Sequence, residues 1–348
     1  MSKPIKVGII GFGLSGRVFH APFINTNINY QLEKIISSRF EEIKNIYPDV
    51  KVARNVYDLY KGDEIDLVIV ASPNVNHFDQ AKQALMNNKH VIIEKPFVVN
   101  YKDGQDLITL SKKKKKILAV FHNRRWDGDF LTVQKIIKEK LLGDIVEYEA
   151  HFDRYRPEID NQNWRNDNLP GSGVFYDLGP HLIDQALCLF GKPNYVYADI
   201  KNMRQQAEVD DSFEVKLGYN NLTATIKASV FVRELGPHFI IHGKKGSFIK
   251  YGMDLQENEL KRGKMPNGKN WGKDNADFYG IINTELDGTE YRAKIETLNG
   301  NYAGFFNNVY NTILGNEELI VKPEEALESI KIIELAFNSN NAKKPIYL

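Results

Sequence analysis

The sequence predicts a two-domain fold: an α/β domain built on a parallel sheet, then an α+β domain with a large, mainly antiparallel sheet. Three observations predict it. The chain has 348 residues, more than one hydrophobic core ordinarily supports. Short apolar runs rich in β-branched residues alternate with helical patterns through the first third, as in βαβ units. Later segments instead alternate apolar and polar residues with period two, as in a sheet covered on one face.

In the first third, strands are expected at Lys6–Ile10, Tyr30–Ser37, Asp66–Ala71, His90–Ile93 and Ile117–Phe121, with a shorter one near Lys51–Ala53. Helices are expected between them, at His77–Asn87 and Tyr101–Ser111. A division at 1–122 and 123–348 follows from the change of pattern after His122. Beyond it, a helix at Asp129–Leu142 leads into alternating segments at Ile145–Tyr155, Phe213–Gly218 and Leu222–Val232. In the last of these, Leu222, Ala224, Ile226, Ala228, Val230 and Val232 take one face. Glu257–Ala293 is polar and poorly periodic and reads as long loops, and Pro323 opens a C-terminal helix.

Composition narrows the classes of function. With 42% hydrophobic and 26% charged residues and a net charge of +1, the chain carries no general attraction for nucleic acid or an acidic membrane. The run Lys112–Lys116 reads as a solvated helix end. The single cysteine, Cys188, excludes an internal disulfide and a cysteine-pair metal site, and suits a reducing cytosol. No cleavable leader or membrane-spanning apolar run is expected, so the reading is cytoplasmic.

Gly11-Phe12-Gly13-Leu14-Ser15-Gly16 stands between the first strand and a helical segment, the context in which a glycine pattern marks a dinucleotide-binding Rossmann turn. Gly11 permits the tight turn, Gly13 lets backbone approach a pyrophosphate, and Gly16 allows close packing of helix on strand. Ile36-Ser37-Ser38-Arg39 ends the second strand without the acid that would hold a ribose 2′-hydroxyl. Two hydroxyls and a guanidinium suit a 2′-phosphate, so NADP is expected ahead of NAD. Ser72, Pro73, Asn74 and His77, beyond the strand Asp66–Ala71, are candidates for the ribose and nicotinamide side. Simple helix capping by Asn76 explains that stretch equally well.

Glu94-Lys95-Pro96 closes the strand His90–Ile93 at the same carboxyl edge. Pro96 disfavours a helical conformation at Lys95. Asp177 and His181 are four residues apart, a spacing that places them on one face of a helix, although Pro180 sits between them. A histidine exchanges protons near neutral pH and a neighbouring carboxylate fixes its tautomer, which is what oxidation of an alcohol needs.

Together, Gly11–Gly16, the Glu94-Lys95-Pro96 triplet and the Asp177/His181 pair resemble the glucose-fructose oxidoreductase, inositol dehydrogenase and MocA family across essentially the whole chain. The stretches Gly11–His20, His122–Asp127 and Arg154–Glu158 are similar to its NADP-dependent scyllo-inositol dehydrogenases. The resemblance implies interconversion of a cyclic polyol and its ketone, without a metal. It assigns catalysis to Lys95, Asp177 and His181, which also touch substrate together with Tyr155, and adds Glu94 and Lys95 to the cofactor side, with Trp164 and Arg165 either there too or packed at a domain interface. Arg124 and Trp126 form a floor beneath the nicotinamide or pack at a domain interface, and Asp184 is a further pocket candidate. A homodimer or homotetramer built through the second sheet is also implied. Two alternatives stay open: a reductase or dehydrogenase of another sugar or anhydro sugar, and a nucleotide sensor without turnover.

Overall fold

The computed structural model describes residues 3–160, 166–268 and 270–348. The chain forms two compact units. The first comprises Met1–Asn123 with Gln256–Trp271 and Asn301–Leu327, and the second Arg124–Leu255, Gly272–Gly300 and Glu328–Leu348. Two downstream segments thus pack with the first unit, which a single cut after residue 122 would assign to the second domain.

The first unit carries six parallel strands: β1 (Ile5–Ile10), β2 (Tyr30–Ile36), β3 (Lys51–Ala53), β4 (Leu67–Val70), β5 (His90–Ile93) and β6 (Leu118–Val120). Their order in the sheet is β3-β2-β1-β4-β5-β6. β1 pairs β2 on one side and β4 on the other, so the winding reverses beside β1 and leaves a crevice at the carboxyl ends, where such sheets bind ligands. All four residues of β4 are fully buried, as expected of a strand covered on both faces. The helices are α1 (Ala21–Thr26), α2 (Phe40–Ile46), α3 (His77–Met86) and α4 (Tyr101–Lys114). Asn100 caps α4 by accepting from the Asp103 amide at 3.0 Å. The helix Ala303–Ile313 returns to this unit and contributes Phe305 and Phe306 to its core.

The second unit is built on nine strands in the order β14-β13-β12-β11-β7-β10-β9-β8-β15. They are β7 (Ile145–His151), β8 (Tyr195–Lys201), β9 (Ser212–Gly218), β10 (Thr223–Ser229), β11 (Phe239–Gly243), β12 (Gly246–Lys250), β13 (Gly280–Leu286), β14 (Thr289–Ile295) and β15 (Ile346–Tyr347). Every pairing is antiparallel except β7 with β10. Ala224, Ile226, Ala228 and Val230 point to the buried face, as the alternation predicts. The helices α5 (Gly128–Lys138) and α6 (Val174–Phe190) belong here, and α6 lies against β9 and β10. The opposite sheet face holds a concavity lined by Glu147, Glu149, Glu214, Lys216, Thr225 and Lys227 among others.

The expectation of loops over 257–293 is corrected. That stretch contains a helical turn at Gln256–Lys261 and the hairpin β13–β14. The hairpin closes through Asp287-Gly288, both with positive φ (49° and 77°), the backbone of a two-residue turn matched to strand twist. The C-terminal helix runs from Pro323 to Ala342. Among the described residues, no helix is long and apolar enough to cross a membrane.

Candidate active site

In the first unit the glycine turn has the geometry that dinucleotide binding requires. Gly11 has φ +96°, and a Cβ there would lie 2.5 Å from the Ala71 carbonyl oxygen. At Gly16 a Cβ would fall 2.1 Å from the oxygen of Gly11, so the packing of helix on turn excludes any side chain. At Gly13 a Cβ would meet no atom of the described residues within 4 Å, which leaves its backbone open to a ligand. Phe12 is buried with its ring edge-on to Tyr47 and Leu14 is half-exposed, so Phe12 offers the turn only its backbone. The turn therefore fits a dinucleotide.

At the end of β2, the Ser37 hydroxyl accepts from the Arg39 amide at 3.1 Å, and Ser38 and Arg39 are exposed. Arg39 reaches Glu42 at 3.3 Å, and Arg17 reaches the other oxygen of the same carboxylate at 3.1 Å. One carboxylate thus gathers two guanidiniums beside the glycine turn. Arg17 was given no separate role from the sequence; its position one residue after Gly16, on the same side as Arg39, was the available signal.

Beyond β4, the Ser72 hydroxyl donates to Gln80 at 2.7 Å and Asn74 is buried. His77 is fully buried, with its ring nitrogens 2.9 Å from the Pro96 carbonyl and 3.0 Å from that of Ser72. It ties the β4 and β5 loops together; burial holds its pKa below the usual histidine value despite the two carbonyls. A neutral ring donates to only one of those carbonyls.

Lys95 stands half-buried at the carboxyl end of β5, before a cis bond to Pro96. Its amide donates to Glu94 Oε2 at 3.0 Å, while Glu94 Oε1 accepts from the Ser15 hydroxyl and lies 2.8 Å from His20 Nε2. Burial pushes the Glu94 carboxyl up, but the His20 and Ser15 hydrogen bonds and the Lys95 charge outweigh it and hold the group ionised. Both oxygens of Glu94 are thus engaged by the chain itself.

In the second unit, α6 is one continuous helix with Pro180 inside it, so Asp177 and His181 do share a face. Gly173 precedes the helix with φ +94° and has no side chain to cap it. Asp210 caps it from elsewhere: its Oδ2 accepts from the Phe175 amide at 2.6 Å, and its main-chain oxygen from Val174 at 2.9 Å. Asp177 lies 3.8 Å from an Arg154 guanidinium nitrogen. His181 is 6% exposed and set edge-on to Phe152, with ring centroids 6.1 Å apart. Three residues further, Asp184 receives two hydrogen bonds from Arg125, at 2.8 and 2.7 Å. Neither the approach of Arg154 to Asp177 nor the cap from Asp210 is written in the local sequence, because nothing local marks a residue that reaches a helix from a distant strand or loop.

Arg124 and Trp126 are buried at the start of this unit. Arg124 pairs with Asp127 at 3.1 Å and stacks over Phe152 at 4.9 Å. Tyr155 is 42% exposed, with the Arg233 guanidinium 4.0 Å above its ring. Trp164 and Arg165 lie outside the described residues.

A nucleotide-binding turn after β1 of a six-stranded parallel sheet, with a lysine at the carboxyl end of β5 two strands away, defines the first unit as an NAD(P)-binding oxidoreductase domain. Residues 5–122 match the oxidoreductase family of glucose-fructose oxidoreductase, inositol dehydrogenase and MocA (NAD-binding Rossmann fold), and residues 134–348 match its C-terminal alpha/beta domain. The chain belongs to this family and is an oxidoreductase. It is 40% identical to the scyllo-inositol 2-dehydrogenase (NADP(+)) of Bacillus subtilis (strain 168), over 99% of this chain and 96% of that one. It is 37% identical to the uncharacterised oxidoreductase YdgJ of Escherichia coli (strain K12), over 97% of each. Among solved structures it is similar to an oxidoreductase of Bacillus subtilis (TM-score 0.94, 39% identity, 99% of this chain and 98% of that one). Another, from Yersinia pestis, has a TM-score of 0.95 at 36% identity, over 100% and 98%.

Proposed function

We propose that the protein is a cytoplasmic, NADP-dependent dehydrogenase that interconverts a cyclic polyol resembling scyllo-inositol with its ketone. The observation that carries the reaction class is Lys95, held at the carboxyl end of β5 by Glu94, at the same sheet edge as the open backbone of Gly13. The relative named as a scyllo-inositol dehydrogenase supports the substrate class.

In the oxidative direction His181 takes the proton of the substrate hydroxyl, and Lys95 stabilises the negative charge that develops on that oxygen. Asp177, beside Arg154, orients the substrate and the base. A bound nicotinamide would supply the hydride acceptor for the carbon that bears this hydroxyl. Gly11–Gly16 would hold its pyrophosphate, and Ser72, Pro73 and Asn74 would line its ribose side. Tyr155, exposed and with Arg233 over one face of its ring, would offer its other face to a sugar-like ring.

NADP is favoured over NAD because Ser37, Ser38 and Arg39 stand where an acid would be needed for NAD. Arg17 adds a second guanidinium beside Arg39, and a 2′-phosphate dianion would displace the single carboxylate of Glu42 that now bridges them. The outer face of the nine-stranded sheet intersperses Glu147, Glu149 and Glu214 with Lys216 and Lys227, a pattern that can meet a copy of itself in a homodimer or homotetramer. The single cysteine, Cys188, is exposed and forms no disulfide within the chain, which fits a reducing compartment.

A panel of inositols, open polyols, keto sugars and anhydro sugars, assayed in both directions by absorbance of reduced nicotinamide, tests this reading. Turnover of a cyclic polyol with NADP is the expected result. Turnover confined to another sugar ketone would shift the substrate class, and nucleotide binding without any turnover would favour a sensor.

A further inference from the structure

The chain that follows the glycine turn does not begin as an ordinary α-helix. Over Gly16–His20 it is a π-helical turn, closed by the Ala21 amide donating to the Gly16 oxygen five residues back. In an α-helix, residues five apart point about 140° away from each other. The wider turn narrows that divergence, and Ser15 and His20 converge on one atom, Oε1 of Glu94.

A carboxylate only accepts, so His20 carries its proton on Nε2 and donates. The ring is completely buried, 4.4 Å from Phe121 and 6.0 Å from Phe306 between centroids, and its Nδ1 has no hydrogen-bond partner among the described residues. Burying that nitrogen costs stability, and an aromatic hydrocarbon would fill the same space without the penalty. What the imidazole supplies is the bond to Glu94, whose other oxygen holds the backbone of Lys95.

We infer that His20 is a positioning residue: with Ser15 it locks Glu94, so that the phosphate-binding turn and Lys95 form one rigid element and a bound dinucleotide meets a lysine already in place. The inference rests on Lys95 acting in catalysis, as proposed above.

Two substitutions separate this role from simple packing. His20→Phe keeps an aromatic ring among Phe121 and Phe306 but loses the donor. His20→Gln loses the ring but sets an amide N–H close to the position of Nε2. Positioning predicts that His20→Phe lowers kcat by about 10- to 100-fold with little change in KM for NADP, whereas His20→Gln stays within about threefold of the unsubstituted enzyme. A packing role predicts the reverse order, and that order would overturn the inference. Should His20→Phe fail to fold, Glu94→Gln, which keeps the shape of the side chain, is expected to reproduce the loss of kcat; normal kcat in that variant would also overturn it. If the unsubstituted enzyme turns over none of the polyols, the functional reading fails separately, and the lock is read from hydrogen exchange at the Lys95 amide. Faster exchange in His20→Phe than in His20→Gln supports the lock, and equal rates contradict it.

Discussion

Arg125 grips Asp184 through two parallel hydrogen bonds of 2.8 and 2.7 Å, with both side chains almost entirely out of solvent. Asp184 lies one helical turn beyond His181, so the pair fastens residues 124–126 to the helix that carries the proposed base. Removing one member strands a buried charge. Arg125→Ala is expected to lower unfolding free energy by about 3–5 kcal/mol, measured by denaturant titration. A loss under about 1 kcal/mol, the scale of an exposed ion pair, would show that the geometry contributes little to stability.

Cofactor selectivity follows from Arg39. Arg39→Asp is expected to weaken NADP binding by about 1.5–3 kcal/mol, the value of a charge-assisted contact, with a much smaller effect on NAD. Arg17→Ala should move selectivity the same way. Titrations in which the unsubstituted protein binds NAD more tightly than NADP would contradict the assignment.

Stability should depend on pH through two buried carboxylates. Burial pushes Asp129 and Asp210 up to about 7, with Asp254 beside Asp129 and Asp211 beside Asp210 adding to the effect. Between about pH 4 and 7 the folded chain keeps protons that the unfolded chain has released, so these groups make stability fall as pH rises through that window. His238 and His90, lowered by burial to about 3 and about 4, act oppositely, because the unfolded chain binds their protons first as pH falls below about 6.5. A difference measurement separates the two. Asp210→Asn mimics the protonated acid, so this variant should gain stability relative to the unsubstituted chain from pH 4.5 to 7, by at most about 1.4 kcal/mol per pH unit. A difference that does not vary with pH would refute the shift at Asp210.

The sheet-face assembly is tested by light scattering across working concentrations. A dimer or tetramer is expected, and Lys216→Glu with Lys227→Glu should dissociate it by setting like charges together. A monomer at all concentrations would remove the inference.

Legibility in the sequence followed burial. β4 and β5 were readable because strands covered on both faces are written as unbroken apolar runs, and β10 because one covered face imposes alternation. β14 was missed because Thr289–Lys294 are all exposed, which leaves no periodicity to detect. The Asp287-Gly288 dipeptide was the signal that could have found its hairpin. At the site, the glycine turn and the Asp177/His181 spacing are local patterns and could be read. The partners that support them, His20 on Glu94, Asp210 on α6 and Arg125 on Asp184, are contacts across 74, 35 and 59 residues, and no local pattern encodes them.

Lys95 and His181 are proposed to act in one reaction, and turnover set beside cofactor binding in Lys95→Met and His181→Asn separates that role from a structural one. With a confirmed polyol substrate, both variants should bind NADP nearly as tightly as the unsubstituted enzyme while kcat falls by about 100-fold or more, the scale of losing an oxyanion partner or a general base. His181→Asn should in addition flatten the pH dependence of the rate, since the titrating base is gone. Near-normal kcat in both variants would contradict the account and make Lys95 and His181 structural residues.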